Sequence, residues 1–207
     1  MVVKICGITR LDDAEAAVRE GAHALGFVFW PQSPRFIDPY RARAIAARLP
    51  PFVATVGVFV NQALDYVNGV ASLVRLSAVQ LHGDESVSYA VSLNRPIVKA
   101  IGFEAATVGR LDEWPRRVRL LLDAHDPGRR GGTGRTVDWN AAARAAAVRP
   151  VMLAGGLTPE NVAEAVARVQ PFGIDVSSGV ESSPGIKDGR RMAALFTAIE
   201  RARVLTP

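Results

Sequence analysis

The chain has a single cysteine, Cys6, and it stands two residues after Lys4 in the run VVKIC near the start. Similar pairs recur where other apolar runs end. Gln80 and His82 close AVQLH, Asp123 follows three leucines, and Asp175 and Ser177 fall within GIDVSS. Successive residues of a strand point to opposite faces, so each pair two apart shares one face. Polar groups gathered at the ends of apolar strands are what a reaction site on a rigid scaffold shows. Two ends carry small residues, Ala154-Gly155-Gly156 and, after GIDV, Ser177-Ser178-Gly179. With no bulky side chains in the way, backbone N–H groups there can converge on an anion such as phosphate.

The elements that must hold these residues repeat along the chain. Short β-rich apolar runs occupy 2–5, 24–30, 52–60, 78–82, 96–102, 119–124, 150–156 and 173–178. Alanine-rich amphipathic stretches alternate with them near 11–20, 39–49, 62–74, 85–93, 105–113, 139–147, 159–169 and 189–203. Near-continuous apolar runs mark strands covered on both faces, hence a parallel sheet. Strict strand–helix alternation gives the α/β class, and eight units can close into a (β/α)8 TIM barrel. An open doubly wound sheet is the rival, but strand 1 is not followed by the Gly-x-Gly-x-x-Gly turn of a dinucleotide fold. The expectation is one barrel domain over 1–207, with its site at the C-terminal ends of the strands. The loops after strands 7 and 8 are the usual phosphate cradle of such a barrel. Thr158 and Pro159 read as the N-cap and first position of the helix that follows strand 7. The stretch PGRRGGTGR at 127–135 belongs to one long loop after strand 6.

Composition narrows the function classes. Hydrophobic residues make up 49% and charged residues 22%, a globular balance. No apolar run approaches the roughly 18 residues of a membrane span, and MVVKICGITR has no h-region of a signal peptide. One cysteine allows no internal disulfide and fits a reducing cytoplasm. The formal charge of +5 comes largely from scattered arginines, which argues against a nucleic-acid-binding stripe and suits an anionic small substrate equally well. The three histidines, His23, His82 and His125, show no metal-ligand spacing, and His23 and His125 read as surface residues.

Six segments then carry a resemblance to a known family. They are KICGIT (4–9), GFVFWPQSPRFI (26–37), QLHGDE (80–85), LLLDA (120–124) with GGTG and VDW after it, LAGGLTPENV (153–162) and DVSSGVESSPGIKD (175–188). In order and over essentially the whole chain, they resemble phosphoribosylanthranilate isomerase of tryptophan biosynthesis. The resemblance implies an Amadori rearrangement of an aminoaldose to an aminoketose, with a phosphosugar–anthranilate substrate and no cofactor or metal. A general acid protonates the ring oxygen, the nitrogen opens the ring to a Schiff base, and a general base removes the C2 hydrogen. Each of the two groups typically contributes ~10²–10⁴-fold.

On the resemblance, Cys6 is the general base; otherwise a lone cysteine is most often a small buried hydrophobe. A free thiol titrates near ~8.5, so a depressed pKa would help it act at neutral pH. Lys4 either supplies positive charge to Cys6 or is a buried structural lysine paired with a carboxylate such as Asp175. Asp123 is the general acid, protonated through partial burial at a strand end, while its rival Asp126 sits in the loop beside Pro127. Arg35 is carried over as the bidentate ligand of the aromatic carboxylate. Asp175 is expected to bind a substrate hydroxyl, and His82 either lines the pocket or caps its strand. Gly155, Gly156, Ser177, Ser178 and Gly179 are expected to hold the phosphate. Two other functions compete: a metal-dependent phosphosugar isomerase or epimerase on the same fold, and a non-catalytic phosphate- or nucleic-acid-binding protein.

Overall fold

Strands that are apolar on both faces must be covered on both, and right-handed crossovers between strands paired in sequence order place every intervening helix on the same side of a parallel sheet. A computed structural model describes residues 1–103, 111–124 and 138–204 and shows that arrangement. The strands are β1 Val2–Cys6, β2 Ala24–Val28, β3 Ala54–Phe59, β4 Ala78–Leu81, β5 Ile97–Phe103, β6 Arg119–Ala124, β7 Val151–Leu153 and β8 Gly173–Val176. They pair in sequence order as a closed barrel, with all eight neighbouring pairs parallel. Closure runs through β1 and β8, where Lys4 pairs in register with Asp175.

Seven α-helices lie among the described residues: α1 Leu11–Arg19, α2 Pro39–Ala46, α3 Leu64–Val74, α4 Val87–Val91, α5 Trp139–Val148, α6 Val162–Val169 and α7 Gly189–Val204. Local chemistry starts several of them. Asp38 caps α2 by accepting from the N–H groups of Tyr40 and Arg41, ahead of Pro39 at its first position. Asp138 caps α5 in the same way, through Asn140 and Ala141. Of the helix expected at 105–113, only 111–113 are described, and they form a short 3-10 turn. Most of the loop after β6, with His125 and Asp126, lies outside the described residues.

Two local expectations change. Helix α6 begins at Val162 rather than at Pro159. Asn161 accepts from the Thr158 N–H at 2.8 Å and donates to the Gly156 carbonyl at 2.9 Å, which holds 158–161 as a turn. After β8 the chain forms a hairpin of β9 Glu181–Ser183 and β10 Ile186–Lys187, turning at Gly185 with φ of 82°. Pattern reading gave no strand there, because the segment is too short and polar to show a period.

The main core lies between the barrel and its helices, with Phe27, Leu25, Ile5, Leu120, Val162 and Leu195 among its fully buried members. Burying each such large side chain stabilises by about 1.5–3 kcal/mol. Two small clusters fill the barrel interior. Ala100, Leu121, Met152 and Ala154 form one, and Cys6, Val28 and Val58, with Trp30 against them, form the other. The second cluster puts Cys6 at the boundary between the packed interior and the cavity above it.

Candidate active site

A cavity of about 580 Å³ opens at the C-terminal ends of the strands. Cys6, Arg35, His82, Asp123 and Asp175 all line it, as do Gly155, Gly156, Ser177 and Ser178. Residues from β1, β4, β6 and β8, distant in sequence, therefore meet at one end of the barrel. Gly179 is the exception among the expected residues, since it lies behind the lining. A side chain at Gly179 would overlap the Leu157 carbonyl oxygen and meet the Thr158 Cα at 3.1 Å, so glycine lets the two small-residue loops touch.

Lys4 and Cys6 share the inward face of β1, as their parity requires. Lys4 is only 2% exposed and places Nζ 2.8 Å from Asp175 Oδ1. Gly26, the partner of Cys6 on β2, makes room for both side chains. A Cβ there would lie 2.8 Å from the Cys6 Sγ and 3.0 Å from the Lys4 Nζ. Lys4 thus pairs with Asp175 and also neighbours the thiol, so it has the placement that each of its two alternative readings calls for. Burial opposes the charge on Lys4, but Asp175 and Cys6 outweigh it and hold its pKa above the ordinary lysine value. The depression that would help the Cys6 thiol act at neutral pH is not found. Burial pushes it up, Asp175 adds to the rise, and the opposing charges of Lys4 and Lys187 do not cancel it.

On the facing wall, His82 bridges Gln80 and Asp123. Its Nε2 lies 3.1 Å from Asp123 Oδ2 and its Nδ1 lies 3.1 Å from Gln80 Nε2. An amide nitrogen can only donate, so with Gln80 Nε2 turned to Nδ1 that ring nitrogen accepts, and Nε2 faces Asp123. Asp123 is 7% exposed, which gives it the partial burial expected at the end of β6. Gln80 is a buried residue whose role sequence reading did not identify, and among the described residues its Oε1 has no hydrogen-bond partner. The alternation that pairs it with His82 was the available signal. His23, by contrast, is exposed, as expected.

The small-residue loops have the geometry that anion binding needs. Gly155 and Gly156 adopt φ of 82° and 61°, a region that disfavours any side chain. None of the hydrogen bonds among the described residues uses the N–H of Gly155, Gly156 or Leu157. Such groups beside a cavity are ready-made donors to phosphate oxygens.

Arg35 reaches the cavity already half engaged. Its Nε and Nη2 donate to the two oxygens of Glu181 at 2.8 and 2.6 Å. Glu181 also accepts from the Lys187 Nζ at 2.8 Å, and Lys187 donates to the carbonyls of Cys6 at 2.6 Å and Ser177 at 3.2 Å. Burial alone would raise the Glu181 carboxyl, yet Arg35 and Lys187 together hold it below the usual carboxylate range. A second buried pair, Lys99 with Glu85 at 2.8 Å, fastens the loop after β4 by bonding to Gly83 and Asn61. Glu181, Lys187, Glu85 and Lys99 were all passed over in the sequence, where the first three are charges in polar segments and Lys99 is a lone charge within an apolar run. Among the described residues, no group of three His, Cys, Asp or Glu side chains could hold a metal ion. None of the helices described is long and apolar enough to cross a membrane.

Residues 3–198 match the family model described as N-(5'phosphoribosyl)anthranilate (PRA) isomerase. The N-(5'-phosphoribosyl)anthranilate isomerase of Geotalea uraniireducens (strain Rf4) is 50% identical over 204 residues, 98% of each chain. The crystal structure of phosphoribosyl anthranilate isomerase from Thermotoga maritima is 43% identical with a TM-score of 0.88, covering 99% of this chain and 100% of that one. A crystal structure of phosphoribosyl anthranilate isomerase in complex with reduced 1-(o-carboxyphenylamino)-1-deoxyribulose 5-phosphate is 40% identical with a TM-score of 0.84. That match covers 97% of this chain and 100% of the other.

Proposed function

Because the chain belongs to the N-(5'-phosphoribosyl)anthranilate isomerase family and catalyses the isomerisation of N-(5'-phosphoribosyl)anthranilate in tryptophan biosynthesis, we propose that Cys6 is its general base and Asp123 its general acid. One observation carries this assignment: both residues line the same cavity, from strands separated around the barrel by β7 and β8. A sugar between them meets one group on each side.

The steps follow from the chemistry of an aminosugar. Asp123 gives its proton to the furanose ring oxygen as the C1–O bond breaks, and the nitrogen lone pair closes to a C1=N iminium. This sink acidifies the C2 hydrogen, which the Cys6 thiolate takes, and the electron pair becomes the C1=C2 bond of an enolamine. Reprotonation at C1 with loss of the O2 proton gives the ketone, 1-(2-carboxyphenylamino)-1-deoxyribulose 5-phosphate. Since the substrate's own nitrogen is the electron sink, the sequence calls for neither metal nor pyridoxal. His82, donating to Oδ2 of Asp123, orients that carboxyl so that Oδ1 carries the proton for the sugar. Lys4 keeps a positive charge beside the forming thiolate while neutralising Asp175, whose second oxygen accepts from a sugar hydroxyl.

The substrate's two ends are held apart from the chemistry. The backbone of 155–157 and 177–178 takes the phosphate, with Gly179 behind it keeping the two loops in contact. Arg35 takes the aromatic carboxylate. Residues 1–207 act as one catalytic unit, and the lone Cys6, needed as a free thiol, supports a cytoplasmic location. The test is conversion of phosphoribosylanthranilate by the purified chain, followed as loss of the substrate's fluorescence in the presence of a chelator. No turnover, or turnover abolished by the chelator, overturns the mechanism.

A further inference from the structure

A guanidinium has two edges that can each grip a carboxylate, the side-on pair Nε and Nη2 and the end-on pair Nη1 and Nη2. In this protein Glu181 takes the side-on pair, at 2.8 and 2.6 Å. Among the described residues Nη1 has no hydrogen-bond partner. Arg35 lines the cavity, whereas Glu181 and Lys187 do not. The carboxylate therefore stands behind the guanidinium, away from any ligand. We propose that Glu181 is a positioning residue of the reaction, holding Arg35 from behind so that its end-on edge receives the aromatic carboxylate of the substrate. This rests on the reading of Arg35 given above and adds what makes that arginine selective.

Glu181 is built to stay in place. Its side chain is 4% exposed, and its Oε1 accepts from Arg35, from Lys187 and from the Gly185 N–H at 3.2 Å. Lys187, with a side chain 0% exposed, ties the group to the carbonyls of Cys6 and Ser177. One buried carboxylate thus joins the carboxylate-binding arginine to the strand end that carries the base and to the phosphate loop. The space around Arg35 is also prepared, because a Cβ at Gly7 would lie 2.6 Å from the Arg35 Cδ. Two positive groups and one negative leave a single net positive charge, the complement of one substrate carboxylate. The long arginine side chain otherwise has many rotamers, and fixing it before binding removes that entropic cost.

The sign of one substitution tests this. Glu181→Gln adds net positive charge, so attraction by charge alone would lower KM for an anthranilate substrate. Loss of positioning would raise it, since the amide cannot accept from both Arg35 donors and Lys187. The full chain is assayed with phosphoribosylanthranilate and with the aniline analogue that lacks the carboxylate. We expect Glu181→Gln to raise KM for the first on the order of 10-fold. Its kcat/KM should fall far less for the analogue than for the first substrate. Equal losses on both substrates, or an unchanged or lower KM on the first, overturn the proposal. Arg35→Met, run in parallel, separates the two ideas: if it keeps the preference for the carboxylate, the reading of Arg35 itself fails. Should Glu181→Gln not fold, nitrogen-15 spectra of wild-type Arg35 decide. The Nε–H should stay protected when reduced product binds, and its release from Glu181 on binding overturns the proposal.

Discussion

Lys4 and Asp175 face each other across the seam that closes the barrel, Nζ to Oδ1 at 2.8 Å, with side chains 2% and 8% exposed. Asp175 lines the cavity and Lys4 is buried beneath it, so their pair is structural and chemical at once. Lys4→Met leaves Asp175 with an uncompensated buried charge and should destabilise the protein by about 3–5 kcal/mol. Urea unfolding at neutral pH measures this. A loss under about 1 kcal/mol would mean that the pair contributes no more than an exposed one.

The thiol of Cys6, raised by burial, should make the enzyme's rate depend on pH in a definite direction. A base works deprotonated, so kcat/KM should climb as pH rises and level off only above the ordinary thiol value. Cys6→Ser should keep the fold and lose ~10²–10⁴-fold in kcat, since an alcohol is a far weaker base. A plateau reached below neutral pH, or near wild-type kcat in the serine variant, excludes Cys6 as base.

Two aspartates compete for the acid, and one comparison separates them. Asp123→Asn should lower kcat by ~10²–10⁴-fold, because an amide delivers no proton to the ring oxygen. Asp126→Asn should stay within about threefold of wild type, as for a residue outside the transition-state contacts. Both should still bind the reduced product, which titration calorimetry reads independently of turnover. Reversed ranks would transfer the role to Asp126.

The close approach of the two phosphate loops depends on Gly179. Gly179→Ala would push its methyl into the Leu157 carbonyl and separate the loops. The expected result is a KM raised on the order of 10-fold with kcat little changed, the sign of lost uniform binding. Inorganic phosphate, tested as a competitive inhibitor, should weaken in step. An unchanged inhibition constant would place the anion elsewhere.

The sequence by itself determined the barrel and the end of it that carries the chemistry. Eight apolar runs alternating with amphipathic stretches leave few ways to bury both faces of a sheet, and strand parity groups Lys4 with Cys6 and Gln80 with His82. Family motifs supplied the expected roles of Cys6, Asp123 and Arg35, and the small residues of the two loops announced themselves by type. Tertiary structure decided how the charges are partnered. Lys4 meets Asp175 across 171 positions and Arg35 meets Glu181 across 146, through strand closure and a hairpin that no local period marks. It also set the upward direction of the thiol's shift, because desolvation depends on everything packed around Cys6 and not on its neighbours in the chain. Periodicity is a property of one segment and can be read along it, whereas ion pairing and desolvation in a buried site are properties of distant segments brought together.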